Sequence, residues 1–295
     1  MYSAAFDYKR ATSFEEAVDL LEIHGDEAKV LAGGQSLIPM LNLRFLSPSV
    51  LVDVNALESD GPYADNGNMI IPALTRQRAV ENHAETRQRC PILVDALRYV
   101  GNIRVRNRGT IGGNLAHGDP SSELSCAALA SGAQVVVLSR HNTRYLPLQE
   151  LFAGYLTTSL GPSDLISELR VPVIGKATGW SFLEMARRAG EFAIVNVACL
   201  LTLEQSEGRC QRVSLVLGGV GDIPLDISNE ASEMLIGEET DSQVFDHVGR
   251  RASEVADPRS DVHASADYRR KIVHVFAKRA LELAKRRAQE ASDRD

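Results

Sequence analysis

The strongest constraint on this chain is a pair of glycine-rich segments about eighty residues apart. The first is AGGQSLIPMLNLR at residues 32–44, and the second is TIGGNLAHGDPSSE at residues 110–123. Paired glycines remove the side chains that keep another molecule away from the backbone, and they permit positive φ angles. Gln35, Ser36 and Asn114 add neutral hydrogen-bonding groups. We therefore expect two bends whose backbone N–H groups face a common ligand.

Neither segment matches a known phosphate-binding fingerprint. The Gly-Lys-Ser/Thr ending of a Walker A loop is missing, and neither segment fits G-x-G-x-x-G. Taken singly, each glycine pair is explained equally well by a tight turn. Taken together, each behind a predicted strand, the two segments indicate an extended dinucleotide lying between two lobes. Both explanations stay open, because spacing alone does not separate them.

Local patterns predict the elements around these segments. Ser13 followed by Glu16 forms a capping box, so a helix starts after Ser13 and stops at Gly25. The segment SLIPMLNLR is predicted to be an irregular helical turn broken by Pro39. Periodicity predicts further elements. Strands are expected at AKVLA, VLVDV, MIIPA, VVVL and 165–173, and helices at 76–89, at 91–100 and after Ser121 or Ser122.

The pattern changes near Lys176, where we place a domain boundary. Two apolar stretches, AIVNVACLLTLE and VSLVLGGV, flank a Gly-Arg turn, and two amphipathic helices follow. The basic residues of the final helix, at about 265–289, form either an anionic docking surface or, as we expect, a solvated face. The residues expected in its buried stripe are Ile272, Val275, Phe276, Leu281 and Leu283.

Composition argues against several classes of function. The 39 acidic and 32 basic residues give a net charge of −7, which argues against a nucleic-acid partner. No run approaches the roughly 18 apolar residues of a membrane helix. The N-terminus has no secretory signal, so we expect a cytoplasmic protein without membrane insertion. Because the four cysteines and seven histidines form no ligand pattern, we predict no metal site on this chain.

The chain resembles the FAD-binding medium subunits of the molybdenum-containing hydroxylases, the family of the carbon monoxide dehydrogenase medium chain and the flavin domain of xanthine dehydrogenase. The resemblance rests on AGGQSLIPMLNLR, RNRGTIGGNLAHGDPSSE and ARRAGEFA (186–193), which occur in the family's order. The ending DVHASADYRRKIVHVFAKRAL is similar to the family's C-terminal helix. The resemblance covers nearly the whole chain.

An α+β fold is implied by the resemblance. A two-lobed FAD-binding domain of the vanillyl-alcohol-oxidase type would be followed by a smaller α+β domain, with a three-stranded antiparallel sheet and helices. We place the FAD-binding domain at residues 1–175, with lobes at about 1–56 and 57–175, and the C-terminal domain at residues 176–295.

The resemblance also implies which residues hold FAD. The first segment would wrap the diphosphate, the second lobe would close on it, and an acidic residue would face the adenosine ribose. The first segment supplies Ala32, Gly33, Gly34, Gln35, Ser36 and Leu37, with Ile38 nearby. The second supplies Thr110, Gly113, Asn114, Ala116 and Asp119, with Glu123 as the acidic residue.

Two apolar residues match positions near the rings of the cofactor. Ile166 matches a position near the adenine or the flavin ring. Phe192 matches one beside the isoalloxazine, where ring packing is worth about 1 kcal/mol beyond burial. The alternatives are an ordinary strand residue for Ile166 and a core aromatic for Phe192. Three nearby arginines either flank the diphosphate or are solvated, namely Arg104, Arg106 and Arg108.

The function implied by the resemblance is electron transfer, with no catalytic acid–base residue on this chain. A large partner subunit would carry a molybdenum-pterin and a small one two [2Fe-2S] clusters, in a dimer of heterotrimers. FAD would collect electrons from the clusters and pass them to an external acceptor. Two alternatives stay open: a self-contained flavin oxidase, and a non-catalytic dinucleotide-binding assembly module.

Overall fold

A computed structural model describes residues 2–57, 60–204 and 208–292 of the chain. These residues form a small parallel sheet, two larger antiparallel sheets and a two-stranded hairpin, with helices packed against the sheets. The mixture confirms the expected α+β class.

Residues 2–57, which we call the first lobe, build the parallel sheet. Its elements are β1 (Asp7–Arg10), α1 (Phe14–His24), a 3₁₀ turn (Gly25–Glu27), β2 (Ala28–Leu31), α2 (Leu37–Asn42) and β3 (Val50–Asp53). Strand β3 lies between β1 and β2. The predicted cap of α1 is confirmed, because the Ser13 hydroxyl accepts from the Glu16 N–H at 3.1 Å. The first glycine segment therefore joins the edge strand β2 to α2.

Residues 60–175, the second lobe, form the five-stranded antiparallel sheet in the order β4-β5-β10-β6-β7. Its strands are β4 (Tyr63–Asp65), β5 (Asn68–Pro72), β6 (Gln134–Ser139), β7 (Asn142–Pro147), β8 (Phe152–Gly154), β9 (Thr157–Thr158) and β10 (Leu165–Pro172), with β8 and β9 as the separate hairpin. Its helices are α3 (Gln77–Asn82), α4 (Ala84–Arg89), α5 (Pro91–Leu97), α6 (Ile103–Arg108), α7 (Ile111–His117), α8 (Glu123–Ala130) and α9 (Leu148–Leu151).

Three local predictions differ from the structure. The helix expected at 76–89 is two helices, because the extended backbone at His83 ends α3 and its Nδ1 caps α4. Pro39 lies in the first turn of α2, where it removes no helical hydrogen bond, so this segment is a short regular helix. The second glycine segment does not follow a strand, since α6 precedes it and its glycines lie in the first turn of α7.

The remaining residues build a four-stranded antiparallel sheet covered by helices. Its elements are β11 (Thr178–Met185), β12 (Val195–Leu203), β13 (Cys210–Gly218), β14 (Leu225–Asp226), α10 (Ser228–Leu235), α11 (Ser242–Val255) and α12 (Ala266–Ser292). Three of the strands are the expected long ones, and the two-residue β14 extends the sheet at one edge.

This sheet is buried on both faces, which accounts for its nearly continuous apolar strands. Phe182, Ala198 and Val216 pair across the sheet and pack into the core of the second lobe. The alternate residues of the same strands, including Val197 and Leu215, pack against the helices on the opposite face. One sheet thus joins the second lobe to the terminal helices.

The buried stripe of α12 is narrower than predicted and is built from small residues. Leu281 is buried as predicted, and Ile272 and Phe276 are partly buried and pack against the core, whereas Leu283 is only partly buried and Val275 is exposed. Small residues allow α12 to approach the backbone of β11 at Gly179. The apolar residues buried on α12 are Val273, Ala277, Ala280, Leu281, Ala284 and Ala288.

Candidate functional site

A cleft of about 630 Å³ lies where the two lobes meet, and both glycine segments line it. Fourteen of the fifteen residues expected to hold the cofactor line this cleft. They are Ala32, Gly33, Gly34, Gln35, Ser36, Leu37, Thr110, Gly113, Asn114, Ala116, Asp119, Glu123, Ile166 and Phe192. Ile38 lines a neighbouring cavity of about 440 Å³ behind the first segment.

The first glycine segment packs against the second and against the two residues that precede it, Arg108 and Gly109. A Cβ atom added to Gly33 would lie 2.5 Å from the carbonyl oxygen of Arg108 and 2.8 Å from the Cα of Gly109. A Cβ atom on Gly113 would lie 3.9 Å from the Cβ of Ala32. Residues distant in sequence are therefore brought within van der Waals contact, and Gly33 is required for that contact.

The first segment presents its backbone N–H groups without acceptors. Among the described residues, no carbonyl or side-chain oxygen accepts from the N–H groups of residues 33–37. Two of these groups belong to Gly33 and Gly34, which carry no side chain to shield them. The Gln35 side chain donates to the Gly33 carbonyl oxygen at 3.2 Å and so stabilises the bend. Such a row of free donors at the start of a helix suits an anion.

The second segment differs from this expectation, because the N–H groups around its glycine pair already have acceptors. Ile111 and Gly112 donate to the carbonyl oxygens of Thr75 and Ala73, at 3.1 and 2.8 Å. Gly113 donates to the Thr110 hydroxyl, which caps α7, at 3.1 Å. The second segment therefore offers space and neutral side chains to a ligand, and the first segment offers the free N–H groups.

The loop after α7 holds its own polar groups in place. One carboxylate oxygen of Asp119 accepts from the N–H and the hydroxyl of Ser121, at 2.8 and 2.7 Å. Ser122 donates from its hydroxyl to Asn114 Oδ1 at 2.7 Å and also caps α8. This hydrogen bond occupies the amide oxygen of Asn114 and leaves its NH₂ group free to donate to a ligand in the cleft.

The C-terminal domain braces this loop from behind. Asn196 is fully buried, and its Nδ2 donates to the Ser121 carbonyl oxygen at 2.8 Å. The backbone N–H of Gly219 donates to the Pro120 carbonyl oxygen at 3.0 Å. The buried guanidinium of Arg269 donates to the carbonyl oxygens of Ile194 and Gly219. Helix α12 is thereby linked to one wall of the cleft.

Glu123 is buried at the start of α8, and its carboxyl group lies close enough to that of Glu184 on β11 for each to affect the other's pKa. Burial raises the pKa of Glu123 to about 7, and the neighbouring Asp119 adds to the shift. Burial also raises the pKa of Glu184 to about 8, and the charge of Glu123 contributes. The two carboxyl groups therefore retain a proton near neutral pH, and one carboxylate remains available as an acceptor.

This carboxyl pair predicts that the fold loses stability as the pH rises. Both pKa values in the folded protein lie above the ordinary value of 4.5. The protonated pair therefore makes its full contribution to stability below about pH 4.5, and this contribution is lost as the pH rises through the pKa values of the folded state. Each pKa unit corresponds to about 1.4 kcal/mol. We expect the Glu184→Gln variant, which stays neutral, to reduce the fall in the free energy of unfolding between pH 5 and pH 8.5 by about 2 kcal/mol.

Urea denaturation at the two pH values measures this effect. Glu85→Gln is the matched control, since Glu85 lies on the surface in an ion pair with Arg89. Equal pH dependence in the wild type and the Glu184→Gln variant would show that the pair does not hold its proton.

The two apolar site residues lie in different environments. Ile166 is 5% exposed and belongs to the core of the second lobe while lining the cleft. Phe192 is 81% exposed at the rim of the cleft, so the alternative of a core aromatic is wrong. Its loop rests on the second lobe, because a Cβ on Gly190 would lie 2.9 Å from the Gly101 carbonyl oxygen.

The three arginines before the second segment have separate surroundings. Arg106 forms a nearly buried ion pair with Glu81 at 3.0 Å. Arg104 and Arg108 are exposed, and Arg108 lines the smaller cavity beside the first segment. Sequence patterns missed Glu184 and Asn196, because each lies within an apolar strand and only the packing of β11 and β12 against residues 120–123 gives it a role.

The cleft fits the diphosphate of FAD. Residues 33–37, whose five N–H groups have no acceptor, line the cleft together with the neutral side chains of Thr110 and Asn114, and the lack of a side chain at Gly33 allows the first segment to approach Arg108 and Gly109. A diphosphate can accept hydrogen bonds from such N–H groups, so its binding does not require a lysine. The buried carboxylate at the far end accepts from hydroxyl groups, which suits a ribose.

Other kinds of site are not found in the described part of the chain. No group of three histidine, cysteine, aspartate or glutamate residues there is placed to hold a metal ion. The four cysteines are buried and form no disulfide, and burial raises the pKa of Cys90 to about 12. None of the described helices has the length and apolar character needed to cross a bilayer.

Comparison with known families accounts for both parts of the chain. Residues 4–174 match the family described as the FAD binding domain in molybdopterin dehydrogenase. Residues 180–284 match the CO dehydrogenase flavoprotein C-terminal domain. Together the two matches span almost the whole sequence.

Individual proteins are similar over their full length. The 6-hydroxypseudooxynicotine dehydrogenase complex subunit alpha of Paenarthrobacter nicotinovorans is 37% identical, with 98% of this chain and 97% of that protein covered. The carbon monoxide dehydrogenase medium chain of Afipia carboxidovorans is 32% identical, with 98% and 99% covered. A solved structure of carbon monoxide dehydrogenase from Hydrogenophaga pseudoflava superimposes with a TM-score of 0.93 at 31% identity, covering 97% of this chain and 99% of that one.

These matches confirm the expected fold, the oxidoreductase class and FAD as the cofactor of the N-terminal domain. The chain belongs to the family of FAD-binding medium subunits of the molybdenum hydroxylases.

Proposed function

We propose that this chain is the electron-transfer subunit of a multi-subunit molybdenum hydroxylase and binds FAD in the cleft between its lobes. The observation that carries the proposal is that residues 33–37, whose N–H groups have no acceptor, line one cleft together with the neutral side chains of Thr110 and Asn114. The full-length similarity to subunits named medium chain and complex subunit alpha supports the assignment.

Bound FAD would supply the redox chemistry, taking electrons from iron–sulfur clusters of a small partner subunit and passing them to an external acceptor. The N–H groups of residues 33–37 hold the diphosphate, and Thr110 and Asn114 close on it. Glu123 would accept hydrogen bonds from the ribose hydroxyls, beside the buried carboxyl group of Glu184. No side chain of this chain acts as a catalytic acid or base.

Phe192, exposed at the rim of the cleft, would pack against the isoalloxazine of bound FAD. An aromatic side chain at an open cleft mouth leaves the ring within reach of a partner subunit, which electron transfer requires. We further propose a large partner with a molybdenum-pterin, a dimer of heterotrimers and a cytoplasmic location. The domain division at residues 175 and 176 is part of the same proposal.

Purification from the source organism tests the assembly. We expect the chain to copurify with a molybdenum-containing large chain and a small chain carrying two [2Fe-2S] clusters, because similar proteins are named as a medium chain and a complex subunit. Native mass spectrometry and metal analysis give the composition. Recovery of this chain alone would count against the proposal.

The chain expressed by itself separates the two alternatives. Reduction of its flavin by a small organic substrate, without partners, would favour a self-contained oxidase. Absence of flavin from both the isolated chain and the assembled complex would favour a non-catalytic assembly module. Reduction of flavin only in the complex, on addition of the complex's substrate, agrees with electron transfer.

A further inference from the structure

Asn55, just after β3, holds the start of the first glycine segment. Its Nδ2 donates to the carbonyl oxygens of Ala32 and Leu31, at 2.7 and 3.2 Å. Asp53 keeps the side chain in this orientation, because its Oδ1 accepts from Nδ2 at 2.6 Å and from the Asn55 N–H at 2.8 Å. The Tyr8 hydroxyl donates to the other oxygen of Asp53. The first bend is thus anchored to the strands of its own lobe.

Arg76 continues this network into the second lobe. Its Nη2 donates to Asn55 Oδ1 at 2.8 Å, and its Nη1 donates to the Arg108 carbonyl oxygen at 2.7 Å. That carbonyl oxygen is the atom nearest to the missing side chain of Gly33. One planar guanidinium group therefore joins Asn55, which holds the first glycine segment, to the carbonyl group of Arg108, which lies against Gly33.

Few polar contacts otherwise join the two lobes. No backbone hydrogen bond links the described residues 2–57 to residues 61–175. Of the side-chain hydrogen bonds and ion pairs between these two parts of the described chain, one is Arg76 to Asn55 and the other is Arg140 to Asp19 at 3.4 Å. The second is a half-exposed surface pair away from the cleft, so it does not fix the glycine segments.

We propose that Asn55 and Arg76 are positioning residues that clamp the two glycine segments at the separation required by the FAD diphosphate. Asn55 lines the smaller cavity, and neither Asn55 nor Arg76 lines the cleft itself. Without the clamp, the first bend keeps its sequence but loses its fixed distance from residues 108–114. The link to FAD rests on the proposed function, whereas the clamp itself is a property of the chain alone.

Hydrogen exchange on the full chain without FAD tests the clamp directly. In the Arg76→Ala variant, peptides covering 31–37 and 108–114 should both exchange roughly tenfold faster, as loss of a charged hydrogen bond predicts. Arg76→Lys keeps the charge but loses the planar fork, so it should show the same change in both peptides. Arg140→Ala removes the other ion pair between the lobes and should leave both peptides unchanged.

A double variant shows whether the two residues act as one unit. Asn55→Ala combined with Arg76→Ala should be no faster in exchange than either single variant. Exchange at the wild-type rate in both peptides of Arg76→Lys, or faster exchange in one peptide only, would overturn the clamp. The Lys variant decides the question if the Ala variant fails to fold.

FAD affinity gives a separate result. In the complex with its partner subunits, the dissociation constant for FAD should rise roughly tenfold in Arg76→Lys and stay constant in Arg140→Ala. Faster exchange with unchanged FAD affinity would overturn the role assigned to the clamp. A wild-type complex without any FAD would refute the proposed function, and the exchange result would stand independently of it.

Discussion

Replacing Gly33 with valine is expected to abolish FAD retention. The first atom of the new side chain would lie 2.5 Å from the Arg108 carbonyl oxygen, and this neighbour is backbone that cannot rotate away. The two glycine segments must then move apart, and the N–H groups of residues 33–37 no longer face the second segment. We expect FAD binding to weaken at least about a hundredfold, measured as flavin released per chain from the complex.

Two further glycine variants make this result specific. Gly113→Val should also lose FAD, because its Cβ would lie 2.7 Å from the Thr110 hydroxyl and its branches would project into the cleft. Gly61→Val is the matched control, since a Cβ there meets no atom within 4 Å. Full flavin occupancy in both Gly33→Val and Gly113→Val would contradict the placement of FAD between the segments.

Replacing Gly179 with alanine is expected to cause the largest loss of stability in the C-terminal domain. The added methyl group would lie 1.8 Å from the Ala284 carbonyl oxygen and 2.5 Å from the Ala288 nitrogen. Both atoms belong to the backbone of α12, so the whole helix must move away from β11. We expect the free energy of unfolding in urea to fall by at least about 3 kcal/mol.

The matched control for this variant is Gly175→Ala. A Cβ at Gly175 would meet the Thr178 hydroxyl at 3.6 Å, which is an ordinary contact. The cleft should respond as well, because Arg269 of α12 and Gly219 connect the helix to Pro120. An unfolding midpoint within error of the wild type would show that α12 does not pack against β11 at this distance.

The elements of the chain could largely be predicted, because their signals are local. The Ser13 cap, the Gly25 stop and the apolar runs of β5, β10 and β12 involve neighbouring residues only. Errors occurred where a local pattern had two solutions. Uninterrupted helical periodicity concealed the break at His83, and a glycine pair is compatible with both a turn and a helix start.

The candidate site could be predicted as a set of residues but not as an arrangement. Fourteen of the fifteen expected residues line one cleft, because the motifs that carry the resemblance contain them. The pairing of the N–H groups of the second segment depends on Ala73 and Thr75, which no motif includes. Asn55, Arg76, Glu184 and Asn196 were missed for the same reason.

The sequence by itself determined which segments are rich in glycine, where most helices and strands begin and end, and to which family the chain belongs. Only the tertiary structure decided that Gly33 packs against the Arg108 carbonyl, that Phe192 is exposed at the rim and that burial raises the pKa of Glu123 beside Glu184. The physical reason is the separation along the chain of the residues that each interaction involves. Caps and periodicity act over a few residues, whereas desolvation, close backbone approach and a bridging guanidinium arise when distant segments meet.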